Sequence, residues 1–136
     1  MSQRLPTIAV VDDDKVFQFT TLRTIQAVKL SDNILQFPNG EDALNFLRKH
    51  ANESEVLPDF IFLDINMPLV DGWMFLDDYA SLKASIEKDI TIFMVSSSID
   101  PKDISRARSN PNVTDYITKP ITIEKLLELS QRVISN

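Results

Sequence analysis

Short apolar, β-branched runs that stop abruptly at a polar residue are the feature of this chain that most restricts its fold. IAVV at residues 8–11 runs into Asp12, Asp13 and Asp14, FIFL at 60–63 into Asp64, and ITIFMV at 90–95 into Ser96. A run with no polar residue alternating along it reads as a strand covered on both faces, and such strands belong to parallel sheets. Two weaker runs, 34–37 and 116–118, bring the count to five, the last leading into Lys119 and Pro120. No hairpin turn joins any pair.

The stretches between them read as helices. Val16, Phe19, Leu22, Ile25 and Val28 recur at helical spacing behind an acidic triplet that favours the positive end of a helix dipole. Asn39 and Gly40 form a turn ahead of Ala43, Leu44, Phe46 and Leu47, and Asp71 and Gly72 form another ahead of Trp73, Met74, Phe75, Leu76 and Tyr79. Asp100, Pro101 and Asp103 combine an N-cap, a first-turn proline and a first-turn acid. Thr122 caps the last helix, with Ile123, Leu126, Leu127, Ser130, Val133 and Ile134 largely on one face.

Strands and helices thus alternate without a repeat or linker. The expected architecture is a single α/β domain over 1–136 with a doubly wound parallel sheet and right-handed crossovers. With 43% apolar and 25% charged residues the composition is that of an ordinary globular core. Fourteen basic against twenty acidic side chains leave a net charge of −6, which repels a phosphate backbone and argues against nucleic-acid binding. The chain has no cysteine, no signal-peptide pattern in MSQRLPTIAVV, and no apolar run near the roughly 20 residues a bilayer span needs. A cytoplasmic location and no membrane insertion are expected.

Ligands of such sheets bind beyond the carboxyl ends of the strands, where the winding direction reverses. The residues that terminate the runs are therefore expected to share one edge. Fifty-one residues from Asp13 to Asp64 hold two crossovers and a strand, whereas 32 to Ser96 and a further 23 to Lys119 each suit one crossover. If the first and third strands are neighbours, Asp12, Asp13 and Asp64 meet at the switch point. Three carboxylates in a partly dehydrated pocket repel one another unless a cation lies between them, and Mg²⁺ suits a site of few carboxylates with room for phosphoryl oxygens. Lys119 adds a point charge and Ser96 a hydroxyl donor. Asp64, alone at its strand end, is placed as the nucleophile of a phosphoryl site, with Asp12 and Asp13 as metal ligands.

Taken together, VVDDD, FLDINMP followed by DG, MVSS and YITKP, in this order and spacing, resemble the receiver domain of two-component response regulators. The resemblance covers the chain from Ile8 to the final helix. It implies a flavodoxin-like five-stranded parallel sheet in the order 2-1-3-4-5, flanked by five helices. It further implies that a histidine kinase or histidine phosphotransfer protein phosphorylates Asp64. Mg²⁺ would be bound directly by Asp13 and Asp64, by Asp12 mostly through water, and by the backbone carbonyl of Asn66. Lys119 would pair with a phosphoryl oxygen, and Pro120 would follow through a cis peptide. Ser96 takes the switch hydroxyl position and Tyr116 the switch aromatic position. Asn66 and Ser98 would border the path of hydrolytic water. The implied function is phosphorylation-controlled signalling to a downstream target protein, with phosphorelay and self-dephosphorylation as the only intrinsic chemistry, so not a dedicated enzyme.

Four positions depart from the commonest pattern of that family: Ser96 for Thr, Ser97 for Ala, Ile121 for Phe, and Asn112 for a glycine before the fifth strand, where Asn would tolerate positive φ. Two other functions compete. A haloacid-dehalogenase-like phosphatase also uses a strand-end Asp with Mg²⁺, but needs a second acid two residues later, where this chain has Asn66. A degenerate receiver acting as a constitutive binding module would not need the intact set Asp12, Asp13, Asp64, Ser96 and Lys119. Asp14 reads as a helix cap, His50 as a surface residue at a helix end, and Trp73 as packing.

Overall fold

The computed structural model describes residues 5–134, with side chains through residue 131. Its elements are β1 (Thr7–Val11), α1 (Lys15–Ala27), β2 (Asn33–Phe37), α2 (Gly40–Lys49), β3 (Phe60–Leu63), α3 (Gly72–Leu82), β4 (Thr91–Ser96), α4 (Pro101–Ser109), β5 (Val113–Thr118) and α5 (Ile123–Ile134), with one turn of 3₁₀ helix (Lys83–Ser85) after α3. All four strand pairings are parallel, and the order is β2-β1-β3-β4-β5.

Pleating explains why the strand runs are apolar throughout. Ile8, Val10, Phe60, Phe62, Phe93, Val95 and Ile117 point to one face, where Phe17 and Ile25 of α1 and Leu126 and Leu129 of α5 cover them. The alternate residues Ala9, Val11, Ile61, Leu63, Ile92, Met94 and Tyr116 point to the other face, beneath α2, α3 and Ala107 of α4. Each fully buried Leu, Ile or Phe in these layers contributes about 1.5–3 kcal/mol over an exposed one. Side-chain oxygens of Asp14, Asn39, Asp71, Asp100 and Thr122 accept first-turn N–H groups and set where each helix starts.

Two helices bury rows that differ from those expected. In α1 the inward row is Phe17, Thr21 and Ile25, while Val16 and Phe19 are 72% and 57% exposed. In α5 the buried residues are Leu126 and Leu129, with Ile123 and Leu127 nearly half exposed; the side chains of Val133 and Ile134 lie outside the described residues. Strand β5 begins at Val113 instead of 116, because its polar first half pairs with β4 across a register shift that skips Thr114. Asn112 is not at positive φ; among the described residues only Lys29 and Leu69 are, and no glycine is. The turn before β5 is made by the Asn110 side chain, which accepts the Asn112 N–H at 2.9 Å.

Gly72 brings the first turn of α3 directly onto the end of β3. A Cβ there would lie 2.4 Å from the Asp64 carbonyl oxygen and 2.9 Å from the Ile65 Cα, and the Gly72 N–H donates to the Ile65 carbonyl at 2.8 Å. The loop after Asp64 is thereby pinned from below.

Candidate functional site

Parallel register delivers the strand-end residues to one edge. Val11 pairs with Leu63, so the next residues, Asp12 and Asp64, leave the sheet side by side, and the Asp64 N–H donates to the Val11 carbonyl at 3.0 Å. Ser96 pairs with Thr118, and the Lys119 N–H donates to the Ser96 carbonyl at 2.8 Å. Carboxylate oxygens of Asp12, Asp13 and Asp64 lie within 4.8 Å of one another. Asp12 is 1% and Asp64 7% exposed, whereas Asp13 faces solvent.

One ammonium serves the two buried acids. Lys119 Nζ is 2.7 Å from Asp12 Oδ2 and 3.8 Å from Asp64 Oδ1, and lies 4.3 Å from the ring centre of Phe17. Asp12 Oδ1 accepts the Asp14 N–H, and Asp64 Oδ1 accepts the Ile65 N–H, each at 2.9 Å. Burial pushes the Asp64 carboxyl up from 3.8 to about 6, helped by the Asp12 charge and opposed by Lys119. Burial also raises Asp12, against its bond to Lys119. Negative charge is thus in excess, and the all-oxygen donor set fits a hard divalent cation such as Mg²⁺.

The remaining expected residues lie around this core. Ser96 is 1% exposed, and its hydroxyl oxygen accepts the Ser98 N–H at 3.1 Å. Tyr116 is 6% exposed, and its hydroxyl donates to the Ser98 carbonyl at 2.7 Å. The Ser98 hydroxyl donates to Asp103 Oδ2 at 2.7 Å and accepts the Asp100 N–H at 3.2 Å, so it serves the start of α4 instead of standing free for water. Asn66 is exposed in the loop after β3, and the Lys119–Pro120 peptide is cis.

Three features here escaped the sequence reading. Phe17 supports the Lys119 head, and Gln18 donates to backbone carbonyls beneath Asp12. Leu69 sits at φ 68° with 76% exposure, in a tight turn in which the Val70 N–H donates to the Pro68 carbonyl at 2.8 Å. A branched side chain at that φ costs on the order of 1 kcal/mol or more. The spacing of Phe17 and Gln18, one helical turn beyond the acidic pair, was their only available signal.

Comparison with known proteins agrees with this geometry. The chain is 29% identical over 120 residues to the probable methanogenesis regulatory protein FilR2 of Methanothrix harundinacea, covering 88% of this chain and 75% of that one. It is 28% identical over 129 residues to the two-component response regulator ARR10 of Arabidopsis thaliana, covering 93% of this chain but 21% of that protein. The crystal structure of a two component response regulator from Cytophaga hutchinsonii superposes with a TM-score of 0.88 at 26% identity, covering 98% of this chain and all of that one. No helix among the described residues is long and apolar enough to cross a membrane. Residues 8–131 match the model of the response regulator receiver domain, and the chain belongs to that family of two-component signalling proteins.

Proposed function

We propose that this receiver domain accepts a phosphoryl group on Asp64 from a phosphohistidine, borne by a histidine kinase or a histidine phosphotransfer protein, and passes the signal to a downstream target protein by changing shape. The observation that supports Asp64 over its neighbours is the division of Lys119: its ammonium sits against Asp12 at 2.7 Å and stands off Asp64 at 3.8 Å. Asp64 is buried, under-compensated and therefore the carboxylate whose charge most needs a new partner.

In the transfer step an Asp64 carboxylate oxygen forms a P–O bond as the P–N bond to the donor imidazole breaks. The bonding pair leaves on the ring nitrogen, which takes a proton. Asp13 and Asp64 would hold Mg²⁺, with Asp12 contributing through water and Asn66 through its backbone carbonyl. Bound there, the ion supplies positive charge to the non-bridging phosphoryl oxygens. Lys119 swings from Asp12 toward one of those oxygens. Hydrolysis of the acyl phosphate ends the signal, so the intrinsic chemistry is phosphoryl capture and self-dephosphorylation, without turnover of a separate substrate. Such donors act inside the cell, and the reading carries a cytoplasmic location with it.

The switch residues are Ser96 and Tyr116. A phosphoryl oxygen that accepts the Ser96 O–H draws the hydroxyl toward itself and away from the Ser98 N–H that now donates to it, and Ser98 carries the bond to Tyr116 and the start of α4. Tyr116 is already inside, so the signal adjusts an existing chain of bonds instead of filling an empty slot. The test is transfer of radiolabelled phosphate from a purified phosphohistidine protein in the presence of Mg²⁺. Label should move to the wild type and not to Asp64→Asn; equal labelling of both contradicts the assignment.

A further inference from the structure

β1 and β2 end side by side, Val11 opposite Phe37, where the acidic turn begins. The side chain of Gln18, on the first turns of α1, reaches back to carbonyl groups there. Its Nε2 lies 2.9 Å from the Val10 carbonyl oxygen, 3.0 Å from that of Asp12 and 3.0 Å from that of Phe37. Its Oε1 accepts from Gln36 Nε2 at 3.3 Å. A primary amide has two N–H hydrogens, so three carbonyls share them. The Phe37 carbonyl also accepts the Asp12 N–H at 3.0 Å. Asp12 is thus wired at every polar group: N–H to β2, carbonyl to Gln18, one carboxylate oxygen to the Asp14 N–H and the other to Lys119.

We infer that Gln18 is a positioning residue of the acidic site, tying the Asp12–Asp13 turn to the end of β2 and so setting the spacing of the carboxylates that receive Mg²⁺. The inference rests on the reading of Asp12, Asp13 and Asp64 as the metal site. The residue type suits the task. An amide supplies two donors without a charge, whereas a cation here would weaken the pull of the pocket on Mg²⁺, and a carboxylate would set an acceptor against three acceptors. Partners that orient metal-binding groups without touching the metal commonly contribute ten- to a hundredfold in affinity.

Two substitutions separate positioning from simple electrostatics. Gln18→Met keeps the length and removes both donors; Gln18→Glu keeps the shape, removes the donors and adds a negative charge. Mg²⁺ titrations followed by amide chemical shifts, near 25 °C on folded protein, should show binding weakened about tenfold in both variants. Charge alone predicts the opposite sign for Gln18→Glu, namely tighter binding. Ile25→Val, at the far end of the same helix, lowers stability without touching the turn and should bind Mg²⁺ as the wild type does. If Gln18→Met does not fold, Gln18→Asn, which withdraws the amide by one methylene, gives the same readout. A dissociation constant within twofold of wild type for Gln18→Met, tighter binding by Gln18→Glu, or equal weakening in Ile25→Val overturns the inference. Absence of saturable binding by the wild type overturns the metal-site reading beneath it.

Discussion

Metal-free protein carrying Asp64→Asn should melt above the wild type at neutral pH, because the substitution removes an ionised carboxylate that the fold holds at a loss. Asp64 is 7% exposed, and its carboxyl is raised from 3.8 to about 6, chiefly by burial and then by the charge of Asp12. A carboxyl raised in the fold binds its proton more tightly there than in the unfolded chain. Its ionised form therefore costs stability above pH 6, the cost shrinks as pH falls toward 3.8, and it is absent below that. The difference is worth about 3 kcal/mol at pH 7.5, with the attraction of Lys119 and the Ile65 N–H already included. Asparagine keeps an oxygen for the Ile65 N–H, and its own burial takes back roughly 1 kcal/mol, leaving a net gain of about 2 kcal/mol. For a chain of 136 residues that is about 7 °C in Tm. Circular-dichroism melts in EDTA from pH 8 to 4.5 test it: the two curves should converge on acidification. Parallel curves, or a variant that melts at or below wild type at pH 7.5, refute the reasoning.

Three further outcomes follow from the same geometry. Mg²⁺ at a hundred times its dissociation constant should stabilise the wild type by about 2.7 kcal/mol, and Asp13→Ala should lose most of that increment; a full increment in the variant removes Asp13 from the ligand set. Gly72→Ala should cost about 3 kcal/mol in urea unfolding, since its Cβ meets the Asp64 carbonyl oxygen at 2.4 Å, and a loss below about 1 kcal/mol contradicts the packing of α3 on β3. Tyr116→Phe deletes the bond to the Ser98 carbonyl and should lower stability by about 1 kcal/mol; an unchanged urea midpoint shows that this bond does not hold the loop.

The sheet was legible because β1, β3 and β4 are covered on both faces, so burial wrote them as unbroken apolar runs. The start of β5 was not, since Thr114 falls at a register shift and Asp115 lies on an edge strand where polar residues are tolerated. The phase of α1 was misread for a related reason: the inward row includes Thr21, while the apolar Val16 and Phe19 face solvent. Asp12, Asp64, Ser96 and Lys119 could be placed together because each stands at or just past a strand end, and topology alone gathers such residues. Phe17 and Gln18 contribute through direction and reach along α1, which residue type does not encode. At Asn112 the expected positive φ was unnecessary, because Asn110 supplies the turn with its side chain.

The central claim is that Asp64 is the phosphoacceptor and that the acidic pocket with Mg²⁺ makes it so. Intact-mass analysis after incubation with acetyl phosphate and Mg²⁺ tests it most directly. One added phosphoryl group is expected on the wild type, lost in mild base as an acyl phosphate is, absent in Asp64→Asn and absent when EDTA replaces Mg²⁺. A base-stable adduct, or one that Asp64→Asn acquires at the wild-type rate, would contradict it.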